Sequence, residues 1–203
     1  GWTLLLKIDG RLLNTTAADT SQFLYESPLW TNAATLNTSS TAVTELTEAK
    51  FAGFATLGFS RVRLVMRDFT AGGTDRELSF PMAAGSMVAL FSGAELRTNA
   101  GGRVAWGDLV ASPGLQLNCN REGINAGPVG FNARVRIGIH TNQEDECDSP
   151  DSILGVGPTN DYLNTFGSGL GRTSSGNMAV GAHSDGAYTG DRSTRTFAWV
   201  YVR

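Results

Sequence analysis

Thr196-Phe197-Ala198-Trp199-Val200-Tyr201-Val202 is the stretch that decides the architecture. Successive residues of a strand point to opposite faces, and here both faces are apolar. A strand that is apolar on both sides belongs in mid-sheet, covered above and below. The chain is therefore organised around a sheet, with this run as a central strand.

Other stretches alternate and read as half-buried strands. Trp2, Leu4, Leu6 and Ile8 alternate with Thr3, Leu5 and Lys7, and Val62, Leu64 and Met66 alternate with Arg61, Arg63, Val65 and Arg67. Val135, Ile137 and Ile139 alternate with Arg134, Arg136 and His140, which places the arginines on the wet face. Helical signals are few. The spacing of Leu46, Lys50 and Phe51, with Thr44, Thr47 and Glu48 as capping residues, predicts a helix over 41–54. A short helical turn is expected at 30–36, after Pro28, and 82–91 reads equally as a short helix or a buried strand. The glycine- and asparagine-rich stretches 121–130 and 142–195 are expected to be loops, the second long enough to need an organiser such as a metal ion.

With 203 residues, no internal repeat and no linker, the chain reads as one domain over 1–203. Its net charge of −3 and its scattered cations, 14 Arg and 2 Lys, give no footprint for nucleic acid or a membrane surface. No apolar run approaches the ~20 residues of a membrane span, so no membrane insertion is expected. A chain opening on Gly1-Trp2 is expected to be a processed or truncated piece. Cys119 and Cys147 have polar neighbours, which favours a disulfide over two buried thiols and an oxidising compartment over the cytosol. The sequons at Asn14 and Asn37 are compatible with secretion.

Enzyme signatures are missing: no nucleophile elbow, no His-Glu-x-x-His, and a Gly167–Gly171 run lacking the Lys-Ser/Thr of a phosphate loop. No carboxylate pair is set in apolar surroundings as a hydrolase would need. His140, at the end of its strand, is expected to be an ordinary surface residue. The segment after it carries the one dense group of hard ligands. Glu144, Asp145, Glu146, Asp148 and Asp151 place five carboxylates within eight residues, with Asn142 before them and Asp161 after. Such oxygens suit Ca2+, which takes six to eight. The alternative is a solvated acidic turn.

Gly1-Trp2-Thr3-Leu4, Glu48-Ala49-Lys50-Phe51, the hexamer Asn142-Gln143-Glu144-Asp145-Glu146-Cys147 and the closing strand together resemble the fibrinogen-like domains. Within them the nearest are the intelectin-type calcium lectins and microbial secreted modules. The resemblance implies an α+β fold: a twisted, mainly antiparallel sheet, few short helices and a long calcium-organised loop region. It implies Ca2+ held by Asn142 and Glu144, with Asp145 standing where the family has a histidine and Asp161 as the nearest substitute for a later glutamate ligand; Asp148 and Asp151, which replace the family's glycine run, are further candidates from the acidic cluster itself. Vicinal hydroxyls of a terminal sugar would chelate that ion, with Tyr162, Phe166, His183 and Tyr188 as candidates to line the sugar. The expected function is an extracellular, non-enzymatic lectin, secreted or on the cell surface, with glycans or a surface polysaccharide as partners. The rival is a structural or adhesive subunit, assembling with copies of itself or others, in which calcium only holds shape.

Overall fold

The computed structural model describes residues 1–12, 21–127, 134–148, 150, 152–158, 180–184 and 192–203, with backbone alone at 180–184, 192 and 193. The strands are β1 Thr3–Asp9, β2 Ala49–Lys50, β3 Phe59–Asp68, β4 Thr74–Ala84, β5 Leu96–Arg97, β6 Asn118–Ala126, β7 Val135–Asn142, β8 Ser152–Pro158, β9 Val180–Ser184 and β10 Arg192–Val202. Among the described residues three short α-helices accompany them, α1 Gly53–Thr56, α2 Met87–Phe91 and α3 Gly102–Gly107. The strand order is β2-β1-β10-β9-β8-β7-β6-β5, with β3 also on β10 and β4 on β3. Every pairing among these strands is antiparallel.

β10 is the strand that unites the fold. From Thr196 to Val202 it lies between β1 and β3, and from Arg192 to Arg195 it pairs with β9. Its two faces serve two apolar clusters, as its sequence predicts. Ala198, Val200 and Val202 join the main core, while Phe197 and Trp199 form a second cluster with Val65. The main core also takes Val62, Leu64 and Met66 of β3 and Ile137, Ile139, Leu154 and Val156 of β7 and β8. Aromatic edges and faces fill its centre. Trp30 meets Phe23 and Phe91 edge-on, at centroid distances of 5.5 and 4.9 Å, and its indole N–H donates to the Leu24 carbonyl at 2.9 Å.

The predicted helix over 41–54 does not form. The segment runs as loop into β2 and only then into α1. Of its capping groups, Glu48 is spent on distant partners. The buried Glu48 carboxylate accepts from the Asp9 and Gln22 amides and the Ser21 hydroxyl. Lys7 reaches across to the Ser40 and Ala42 carbonyls and the Ser40 hydroxyl at 2.9–3.0 Å. Several buried, charge-assisted bonds outweigh helix propensities of a few tenths of a kcal/mol per residue. Lys7 is thereby fully buried rather than facing solvent, and a register shift between Leu4 and Leu6 lets both Leu5 and Leu6 enter the core. The turn expected at 30–36 is a single 3-10 turn at Pro28–Trp30, and 82–91 divides between the end of β4 and α2.

The two glycine-rich stretches expected to be loops contain strands, β6 in the first and β8, β9 and the start of β10 in the second. Glycine has a steric role there. Gly123, Gly138, Gly155 and Gly181 stand opposite one another in a row across β6, β7, β8 and β9. A Cβ on Gly138 would sit 2.3 Å from the Leu154 carbonyl oxygen, and one on Gly155 would sit 2.2 Å from that of Ile137. At Gly138 and Gly155 the strands approach too closely for any side chain.

Candidate functional site

The acidic segment connects β7 to β8, and its base is firmly held. Thr141 and Ser152, opposite each other at the end of the ladder, share a hydroxyl hydrogen bond at 2.5 Å. The Gln116 amide donates to both of these oxygens, at 2.8 and 3.1 Å. On the other side Asn118 Nδ2 donates to the Gln143 carbonyl at 2.7 Å, and Cys119 is bonded to Cys147 with Cα atoms 5.1 Å apart.

The cysteine occupies an irregular position in its strand. Between the pairs Asn118↔Asn142 and Arg121↔His140, two residues of β6 face one of β7. This is a β-bulge, and Cys119 and Asn120 take left-handed φ values of 65° and 50° within it. The disulfide closes the open end of the β6–β7 hairpin and, at Cys147, pins the acidic loop between Glu146 and Asp148 against that bulge. In the chain-entropy view, closing a loop of this length stabilises the fold by about 3.5 kcal/mol. The expected Cys119–Cys147 bridge is present.

Within the loop the predicted ligands divide. Asn142 is fully buried and committed. Its Nδ2 donates to Glu146 Oε1 at 2.6 Å, and its Oδ1 accepts from the Gln143 amide at 2.9 Å. Glu146 also accepts from the Asp148 amide, and so shapes the turn from within. Glu144, Asp145 and Asp148 are exposed, Glu144 accepting from the Gln143 side chain at 2.8 Å. Among the described residues no three His, Cys, Asp or Glu side chains converge as a metal cage. The donor chemistry of Glu144 and Asp145 fits a hard cation, two adjacent carboxylates standing in solvent on a braced loop. Asp151, Asp161, Tyr162, Phe166 and Tyr188 lie outside the described residues, and of His183 the backbone is placed, in β9 opposite Ile153.

His140 departs from its expected role. It is fully buried, with no hydrogen-bond partner for either ring nitrogen among the described residues. Burial, reinforced by the charges of Arg121 and Arg97, pulls its imidazole down to about 3. It is neutral at physiological pH and shut away from solvent. Arg136 is likewise buried where a wet face was expected. The 21–27 segment covers it: the Tyr25 amide binds the Pro158 carbonyl at 3.0 Å and the Tyr25 carbonyl accepts from Arg136 Nε at 2.9 Å. The result is a cleft that alternation within one strand cannot reveal, because its walls come from four separate parts of the chain.

No known family profile, curated protein or solved structure matches the chain.

Proposed function

We propose that this chain is an extracellular, calcium-dependent carbohydrate-binding module of fibrinogen-like type. The observation that carries the reading is the braced acidic loop after β7, where Glu144 and Asp145 stand exposed beside the Cys119–Cys147 bridge. A disulfide is compatible with an oxidising, extracellular setting. Two adjacent carboxylates on a held loop offer hard oxygen ligands without needing large rearrangement of the backbone. When bound, calcium would supply open coordination positions for vicinal sugar hydroxyls. The chain's own part is to hold Glu144 and Asp145 in place, through Asn142 and Glu146 inside the loop and the disulfide at its edge. Single-site affinity for a terminal sugar is low in such an arrangement, and useful binding to a glycan surface comes from several copies acting together.

The second reading is a structural or adhesive subunit with calcium as a staple. Asn142 favours it, since its amide is spent inside the loop rather than turned outward. The apolar side chains of Val104 and Leu117, 71% and 65% exposed, favour it too, as contact points for a neighbour.

The test is calcium titration by calorimetry, followed by glycan-array binding in calcium and in EDTA, with Glu144→Ala and Asp145→Ala as controls. Glycan binding that needs calcium and both carboxylates supports the lectin. Calcium binding without any glycan signal from a multivalent sample supports the subunit. No calcium binding at all overturns both.

A further inference from the structure

The cleft over Arg136 has a volume of about 290 Å³ and is walled by residues 25–26 and 93–95, by Asn125 and Gly127, and by Arg134 and Arg136. That is the lower end of small-molecule sites, room for a single ring. Its two carboxylates already have cations. Glu26 pairs with Arg134 at 2.7 Å, and Glu95 pairs with Arg121 and, at 3.0 Å, with Arg97.

Arg136 is different. It is only 9% exposed, and its hydrogen bonds go to uncharged groups: Nε to the Tyr25 carbonyl at 2.9 Å, and Nη1 to Asn125 Oδ1 at 2.7 Å and the Phe91 carbonyl at 3.3 Å. Its Nη2 has no hydrogen-bond partner, and the guanidinium has no ion-pair partner, among the described residues. Asn125 is itself held by the Phe91 and Gly93 carbonyls, both at 3.1 Å, so the guanidinium is fixed in orientation. Its group stands 4.1 Å from the centre of the Tyr25 ring, and that of Arg134 stands 4.3 Å from it. The Tyr25 hydroxyl has no hydrogen-bond partner among the described residues either.

Burying a cation without an anion is costly unless something supplies the countercharge. A guanidinium held rigidly by other bonds, with one amino group left over, is a ready donor for a carboxylate. We propose that this cleft is a binding site for a small carboxylate-bearing ligand of single-ring size, its carboxylate paired with Arg136 Nη2 and its remaining polar groups facing Tyr25 and the rim. The site is separate from the acidic loop and needs no calcium.

The test is calorimetric and NMR titration of the full chain, in EDTA, with glucuronate, glucose and sulfate. EDTA removes any calcium-dependent sugar binding from the signal. Glucuronate is expected to bind saturably and at least tenfold more tightly than glucose or sulfate, shifting the amide resonances of 25–26 and 93–95. Ala94→Trp, at the exposed rim, is expected to weaken glucuronate at least tenfold while leaving the melting temperature in place. Arg136→Gln is expected to abolish it; if that variant does not fold, Ala94→Trp and the ligand comparison decide. Equal binding of glucuronate and glucose, undiminished binding by Ala94→Trp, or sulfate binding as tightly as glucuronate would each overturn the assignment.

Discussion

His140 stands directly opposite Arg121 on the neighbouring strand, a buried imidazole beside a cation. The arrangement makes the fold sensitive to acid. The folded imidazole titrates at about 3, against an ordinary value of 6.5 in the unfolded chain. Between those values the unfolded chain binds a proton that the folded chain does not. Stability therefore falls as pH drops below 6.5, by about 2.5 kcal/mol between pH 7 and 4.5. Glu48 acts in the opposite sense, since burial raises its carboxyl and its contribution is lost as pH rises through that raised value. Comparing wild type with His140→Phe isolates the histidine. In urea titrations at pH 7 and 4.5, the variant should lose less stability on acidification than wild type; equal losses would refute the assignment.

The disulfide should be worth most of what its loop length allows. Cys119→Ser and Cys147→Ser are each expected to cost about 3 kcal/mol, and the double variant no more than either alone, because one bond is being removed. Unfolding midpoints with and without reductant check this. Wild type in reductant should match the variants. A double variant much weaker than the singles would mean that the cysteines contribute separately.

Glu122 holds α3 in place. Its carboxylate accepts from the Ala100 amide at 2.9 Å, the Gly102 amide at 3.3 Å and the indole N–H of Trp106. Glu122→Ala would leave these donors without their acceptor, for a cost of about 3 kcal/mol or more. Hydrogen exchange should show the Ala100 and Gly102 amides losing protection before the β3 and β10 amides do. Uniform loss across the chain would contradict a local clamp.

Gly155→Ala should be among the most damaging of single-methyl changes. The added Cβ would meet the Ile137 carbonyl oxygen at 2.2 Å, from a backbone φ of 151°. Backbone cannot yield there without separating β7 from β8, and a loss of about 3 kcal/mol or more is expected. Gly72→Ala is the control, a turn glycine with open space around it, expected to cost about 1 kcal/mol through its φ of 75° alone. Melting temperatures of the two variants decide; equal effects would deny the close approach.

Legibility in the sequence followed the kind of force at work. Val62, Leu64 and Met66 and the double-faced run at Phe197 were readable because alternation reports directly on which side of a strand is dry. The same alternation at Arg136 and His140 named the face correctly but could not show that other parts of the chain cover it. β6 and β8 were hidden because Gly123, Gly155 and Gly157 give a strand the composition of a loop. The segment 41–54 misled because Glu48 has the composition of a helix cap, and only tertiary structure brings Asp9, Ser21 and Gln22 to it. In the candidate site the carboxylates of the loop were legible. The division into Asn142 and Glu146, turned inward, and Glu144 and Asp145, turned outward, was not.

The chain's two lysines are both interior. Lys7 is bound to the 40–42 segment, and Lys50 to the Leu29 and Asn32 carbonyls, with neither side chain on the surface. The positively charged side chains that the described surface presents are thus arginines, groups inert to acylating reagents. Amine-directed coupling through side chains should leave the native protein untouched, and a protease that cuts after lysine should find no accessible site. Both reagents become clocks of opening. The rate at which Lys7 and Lys50 become labelled or cleaved measures how often the β1–β2 corner of the sheet comes apart.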